Sequence, residues 1–215
     1  KNMPAYGREL SSSIGVGALT LTYNYTDEEL NELLINFIQL GIDLHYSVLT
    51  GTQWPHDGMH SQGRKYPIIF AGLMLNHSEM KNITQKTGDY LYTEEHSPSN
   101  KLEDYINFAE DDQTFYVKQE DVDLKDYEWS CRGNNRTGHA YGALSTCPKY
   151  DDYYKSDIGL PEWGIRHSTH PLYDGKNWNA YYRADFDNSM DKIVLSALII
   201  GIKDLWNHNA LFDYM

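Results

Sequence analysis

The sharpest concentration of reactive side chains is His56, Asp57, His60, Arg64 and Lys65, with Gly58 and Gly63 giving the backbone room to turn. Two imidazoles, a carboxylate and two cations within ten residues suit proton transfer next to an anionic group. A His or Tyr that removes a proton from a sugar carbon, with Arg64 neutralising the neighbouring uronate, is lyase chemistry. His45 and Tyr46 precede this loop and are expected at the same mouth. His56, His60, Tyr46 and Arg64 are thus the catalytic candidates, with His45, Asp57 and Lys65 as substrate contacts. A divalent metal on His56, Asp57 and His60 is a second reading. Its spacing aligns the histidines only on a helix, and Pro55 and Gly58 oppose one. The third is structural, with Asp57 and Arg64 paired and capping helix ends.

Other clusters carry weaker signals. Glu110, Asp111 and Asp112 run into Gln113-Thr114-Phe115-Tyr116, which suggests a turn entering a strand. The acids would serve as a general acid, a calcium site or a solvated start of an element. Trp163 with Arg166 and His167 would form a sugar-stacking wall with donors at its edge; the plain alternative is a tucked Trp with an Arg paired to Glu162. Tyr182 and Arg183 are a lesser substrate-binding pair of the same kind. Asp185, Asp187 and Asp191 space oxygens like a calcium loop, but the turn Gly and the closing Glu are missing, and Ser196 stands at the twelfth position. Calcium is the one cofactor suggested.

The elements that must position these residues fall into three stretches. Residues 1–75 read as helices: a segment over 10–23, a second with Leu30, Leu33, Leu34, Phe37, Ile38, Leu40, Ile42 and Leu44 near a 3.6 period behind an acidic Thr26-Asp27-Glu28-Glu29 start, and an apolar third over 67–75. A longer connection spans 50–62. Residues 76–187 hold 21 of the 31 acidic residues and 12 of the 18 tyrosines with no sustained period. So many aromatics argue against disorder. An ordered, loop-rich insert with short strands or helical turns is expected, laid over one end of the helices. Residues 188–215 return to helix through Met190, Ile193, Val194, Ala197, Leu198 and Ile202. The expected fold class is mainly α, an incomplete helix-pair scaffold.

A formal charge of −13 argues against nucleic acid and anionic membranes as partners, since both call for clustered positive charge. No stretch approaches a membrane span. Eighteen Tyr and five Trp against six Phe suit either sugar platforms or buried interfaces between subunits. Cys131 and Cys147 lie in one loop-rich region and fit a single disulfide outside the cytoplasm; two free thiols are the alternative. Sequons at Asn24, Asn76, Asn82 and Asn135 permit glycosylation. The chain reads as the carboxy-terminal part of a larger extracellular protein.

Several phrases carry a resemblance: Gly7-Arg8-Glu9-Leu10, Gln39-Leu40-Gly41-Ile42-Asp43-Leu44, Trp54-Pro55-His56-Asp57-Gly58, Gly63-Arg64-Lys65-Tyr66-Pro67-Ile68, Ala71-Gly72-Leu73 and Leu205-Trp206-Asn207-His208. Together they resemble the carboxy-terminal regions of large, secreted bacterial proteins without an assigned activity. That group implies a cysteine pair shortly after Tyr182-Arg183, where this chain has Ala184-Asp185-Phe186. The helix pattern with long loops at one end is similar to the α/α-toroid of polysaccharide lyases and hydrolases, a likeness of fold only. The resulting expectation is an extracellular carbohydrate-active or carbohydrate-binding protein, lyase-like if catalytic and acting on an acidic polysaccharide. The alternative is a self-assembling subunit of an extracellular filament or surface layer.

Overall fold

The computed structural model describes residues 7–23, 26–54, 59–84, 106–123, 153–164 and 180–215. His56, Asp57, Arg166, His167, Cys131, Cys147, Asn24 and Asn135 lie outside them. Helix takes 67% of the described residues, with one small two-stranded sheet, so the chain is mainly α. No described helix is long and apolar enough to cross a membrane.

Helix α1 (Gly7–Thr20) is followed by the long α2 (Asp27–Leu49). A capping box starts α2: Thr26 N–H and hydroxyl both donate to Glu29 Oε2, at 3.1 and 2.7 Å, and Thr26 Oγ1 accepts from Glu29 N–H. The helix runs five residues beyond Leu44, because Val48 extends its buried face. Helix α3 (Lys65–Met74) is buried along its first eight residues, as its apolar run demands, and α4 (Ser78–Lys81) follows one tight turn later. The described parts of the insert hold α5 (Ala109–Gln113), strand β1 (Thr114–Tyr116), α6 (Gln119–Asp123), a 3-10 turn (Lys155–Asp157) and strand β2 (Pro161–Trp163). β1 and β2 pair antiparallel, Thr114 opposite Trp163 and Tyr116 opposite Pro161. Helices α7 (Ala180–Ile199), α8 (Lys203–Trp206) and α9 (Asn209–Tyr214) close the chain.

Helix α7 begins eight residues before the position expected from the periodicity. Its apolar face starts at Phe186, buried against Trp163, so the stretch holding Asp185, Asp187 and Asp191 is helical. That corrects the calcium-loop reading. Residues two apart on a helix point about 200° apart, so Asp185 and Asp187 cannot converge as alternate loop positions do. Asp185 accepts a hydrogen bond from Arg8 Nη1 at 3.0 Å, and Asp191 pairs with Lys192. Among the described residues no group of three or more His, Cys, Asp or Glu could hold a metal ion.

The helices pair side by side rather than as simple hairpins. Arg8 meets Asp185, Ser11 donates to the Ser189 carbonyl, and Gly15 lies against Lys192 and Ile193, so α1 and α7 run the same way. The rings of Phe37 meet those of Tyr66 and Phe70, and those of His45 and His77 meet 5.7 Å apart, so α2 and α3 also run the same way. Gly41 permits that approach: a Cβ there would sit 2.2 Å from the Pro67 carbonyl oxygen. One core joins the set, with Trp163, Trp206, Tyr66, Phe108 and Phe186 among its buried rings.

Candidate functional site

The first turn of α3 is where the loop singled out in the sequence enters the core. A helix start leaves backbone N–H groups without intrahelical partners. Arg64 stands at the N-cap and gives no side-chain cap. Glu110 does so from α5, accepting Lys65 N–H on Oε1 at 3.0 Å and Gly63 N–H on Oε2 at 3.2 Å. Gly63 adopts φ +86 and lies on Ser11, where a Cβ would come within 2.9 Å of the Ser11 Cα, so both conformation and space call for glycine. Glu110 is wholly buried. Desolvation, then the Asp111 charge, push its carboxyl up to about 7, against the pull of the backbone N–H donors and of Arg64.

Beside it lies a buried ion pair. Lys65 Nζ donates to Asp111 Oδ2 and, at 2.6 Å, to the Trp206 carbonyl, while Trp206 Nε1 donates to Asp111 Oδ1 at 2.7 Å. The ammonium also sits 5.3 Å from the Trp206 ring centre and 5.7 Å from that of Phe108. Both oxygens of Asp111 are engaged, the condition under which a buried pair is tolerated. Around it Gln62 Nε2 donates to Gln113 Oε1 at 2.6 Å, Thr114 Oγ1 donates to the Glu110 carbonyl at 2.8 Å, and His208 Nε2 lies 2.9 Å from Thr114 Oγ1. Trp54 N–H donates to the Asn107 carbonyl, and Gly164 N–H donates to that of Gln113. Four stretches distant in the chain, residues 54 and 59–65, 106–116, 161–164 and 205–208, therefore lock together at the start of α3.

This geometry revises several roles. Lys65 is 0% exposed and its charge is used inside, so it is not a substrate contact at a loop mouth. Glu110 and Asp111 are interior groups, not the solvated start of an element. Trp163 is 0% exposed with its ring 5.3 Å from Phe186, so it offers no platform to a sugar. Arg183 grips Glu162 with both terminal nitrogens, and Tyr153 Oη donates to the same carboxylate at 2.6 Å. The tucked-Trp alternative therefore describes Trp163, and Glu162 pairs with Arg183; Arg166 lies outside the described residues. A hollow of about 180 Å³ lies beside it, lined by Val117, Tyr153, Asp157, Leu160 and Glu162. That is below the ~300 Å³ at which small-molecule sites begin.

On the outside, His60 is exposed and Arg64 half-buried; burial lowers the Arg64 pKa and the Glu110 charge opposes this. His45 is half-buried, its pKa lowered by desolvation and then by His77, whose Nδ1 caps α4. Tyr46 is exposed on α2, and Tyr182 lies on α7, where only its backbone is described. Asn76 and Asn82 are both exposed, the first accepting from Lys81 Nζ at 2.8 Å and the second donating to the Ser78 carbonyl at 2.8 Å. Sequence reasoning gave no role to Trp206 and His208; their signal was the phrase Leu205-Trp206-Asn207-His208 among those that carry the resemblance. Comparison with known proteins found no matching family model, curated protein or solved structure.

Proposed function

We propose that the chain is the helical region of an extracellular protein that binds an acidic polysaccharide at the loop end of α3. The observation carrying this reading is the locking of four distant stretches around Lys65, Asp111 and Glu110. The lock fixes the backbone that presents Arg64 and His60. A rigid frame with polar groups on its rim is what oligosaccharide recognition requires, because little ordering cost is left for the moment of binding. Arg64 supplies a planar donor for a uronate carboxylate, and His60 supplies a donor or acceptor for hydroxyls. A mainly helical frame that holds this rim in place is the scaffold this reading calls for. Binding is favoured over lyase chemistry, because the catalytic candidate Tyr46 stands on α2 next to His45, whose ring meets His77 beyond the far end of α3.

Calorimetric titration with uronate-containing oligosaccharides tests the proposal. Binding is expected with the acidic chains, weakened at least tenfold by Arg64→Gln, and absent with neutral chains of equal length. Failure to bind any member of an acidic panel would overturn it. Appearance of an unsaturated product, abolished by His60→Ala, would extend the reading to a lyase.

A second reading, a structural subunit of an extracellular filament or surface assembly, draws on another surface. It is favoured by the exposed apolar side chains Leu195, Leu198 and Ile199 on α7. Particle size in solution, followed against protein concentration, tests whether copies of the chain assemble alone.

A further inference from the structure

Helix α2 has two unlike faces. Its inner face, through Phe37, Gly41 and Val48, is buried, with Phe37 and Gly41 lying on α3. On the outer face Ile35 is 63% exposed, Ile42 37%, Tyr46 67% and Leu49 65%. Steps of seven, four and three residues place these four on one stripe, since each closes close to a whole number of helical turns. From Ile35 to Leu49 the stripe runs about 21 Å along the axis at 1.5 Å per residue. Single exposed apolar residues are ordinary, but a contiguous run on one face marks an interaction surface.

The charges along the stripe say what covers it. Exposed Glu28 stands at its amino end, and Glu32 and Asp43 run along one flank, with Gln39 Nε2 donating to Asp43 Oδ1 at 2.8 Å. The helix contains no Lys or Arg. A second copy of this chain laid antiparallel along α2 would set acids against acids, and in either orientation two chains of net charge −13 would meet with no Lys or Arg on the helix to offset them. We propose that the outer face of α2 docks a basic amphipathic helix of a partner protein. Apolar residues three, four and seven apart on that helix would meet Ile35, Ile42, Tyr46 and Leu49, and Lys or Arg on its flank would meet Glu28, Glu32 and Asp43. Such flanking pairs steer encounter and fix orientation, and salt screens them. This surface is separate from the Arg64 and His60 rim, so the two proposals stand or fall independently.

The test uses the whole chain and three fluorescent peptides of equal length. One is an amphipathic helix with a Leu face and Lys flanks, the second has the same Leu face with Glu flanks, and the third is a scramble of the first. By anisotropy, the Lys-flanked helix is expected to bind, at least tenfold more tightly than either other peptide and more weakly at high salt. Ile42→Ser and Leu49→Ser should each reduce that binding about tenfold, with thermal midpoint and helical circular dichroism unchanged. Equal binding of the scramble would overturn the proposal, showing charge attraction alone. It would also be overturned by absence of binding, or by sedimentation showing a dimer of the unliganded chain that Ile42→Ser dissociates.

Discussion

The start of α3 and the outer face of α2 invert the usual distribution of residues. At the first, an ammonium and two carboxylates are buried; at the second, four large apolar side chains face water. The difference lies in the partners available. Lys65 has Asp111, the Trp206 carbonyl and two aromatic rings, so its charge leaves water for compensating interactions. Ile35, Ile42, Tyr46 and Leu49 have no packed partner layer among the described residues, because α3 takes the opposite face of α2. Burial and exposure are thus assigned against residue type: the polar centre holds the fold, and the apolar stripe faces water.

Breaking the polar centre should have the largest effect. Lys65→Met leaves Asp111 buried with an indole N–H as its remaining partner, and removal of one member of such a pair costs about 3–5 kcal/mol. Urea denaturation should read that loss as a lower midpoint. Adding Asp111→Leu should cost less than the sum of the two single changes, because the uncompensated charge is gone. Additive costs would show that the two groups act separately.

Glu110 makes the same centre sensitive to pH. Its folded pKa, about 7, lies above the ordinary 4.5, so the folded chain holds this proton more tightly than the unfolded one. The contribution is complete below about 4.5 and is lost as pH rises through about 7. A shift of that size corresponds to about 3 kcal/mol across the window, from 1.36 kcal/mol per pKa step. Denaturation midpoints measured from pH 4.5 to 7.5 should show this decline, and Glu110→Gln should flatten it. An unchanged slope in the variant would place the titration elsewhere.

Packing comes next. Gly41→Ala would push a methyl into the Pro67 carbonyl and the Ala71 Cβ. Overpacking of this kind costs about 1–3 kcal/mol. The loss, read by thermal denaturation, should exceed that of Gly201→Ala, where nothing lies within 4 Å and only the positive φ is strained.

The sequence made one side of the comparison much more legible than the other. Leu30, Leu34, Phe37 and Leu44 reveal α2 because helical burial repeats locally, and Pro67 to Leu73 reveal a buried helix because the run is apolar throughout. The same rule reads Lys65 as a surface group, since its partner Asp111 lies 46 residues away and no local signal joins them. Trp163 reads as a platform for a similar reason: Arg166 and His167 close by in the sequence offer donors, while Phe186, which covers it, arrives with another helix. Periodicity shows which side of a helix is buried. Long-range pairing decides which charges join it.

The finest form of the comparison sits in two adjacent residues. Val48 is 9% exposed within the core, and Leu49 is 65% exposed on the outer stripe. Val48→Ala removes two buried carbons and should cost about 2 kcal/mol, from ~0.8 kcal/mol per methylene and a small cavity term. Leu49→Ala removes more carbon but from a surface already wet, so its effect should stay within about 0.5 kcal/mol. Equilibrium denaturation of the two variants therefore reverses the order that side-chain size alone would give. Equal losses would mean that Leu49 is covered in solution, by another chain or by a segment folded onto α2. The stripe would then be an interface already occupied.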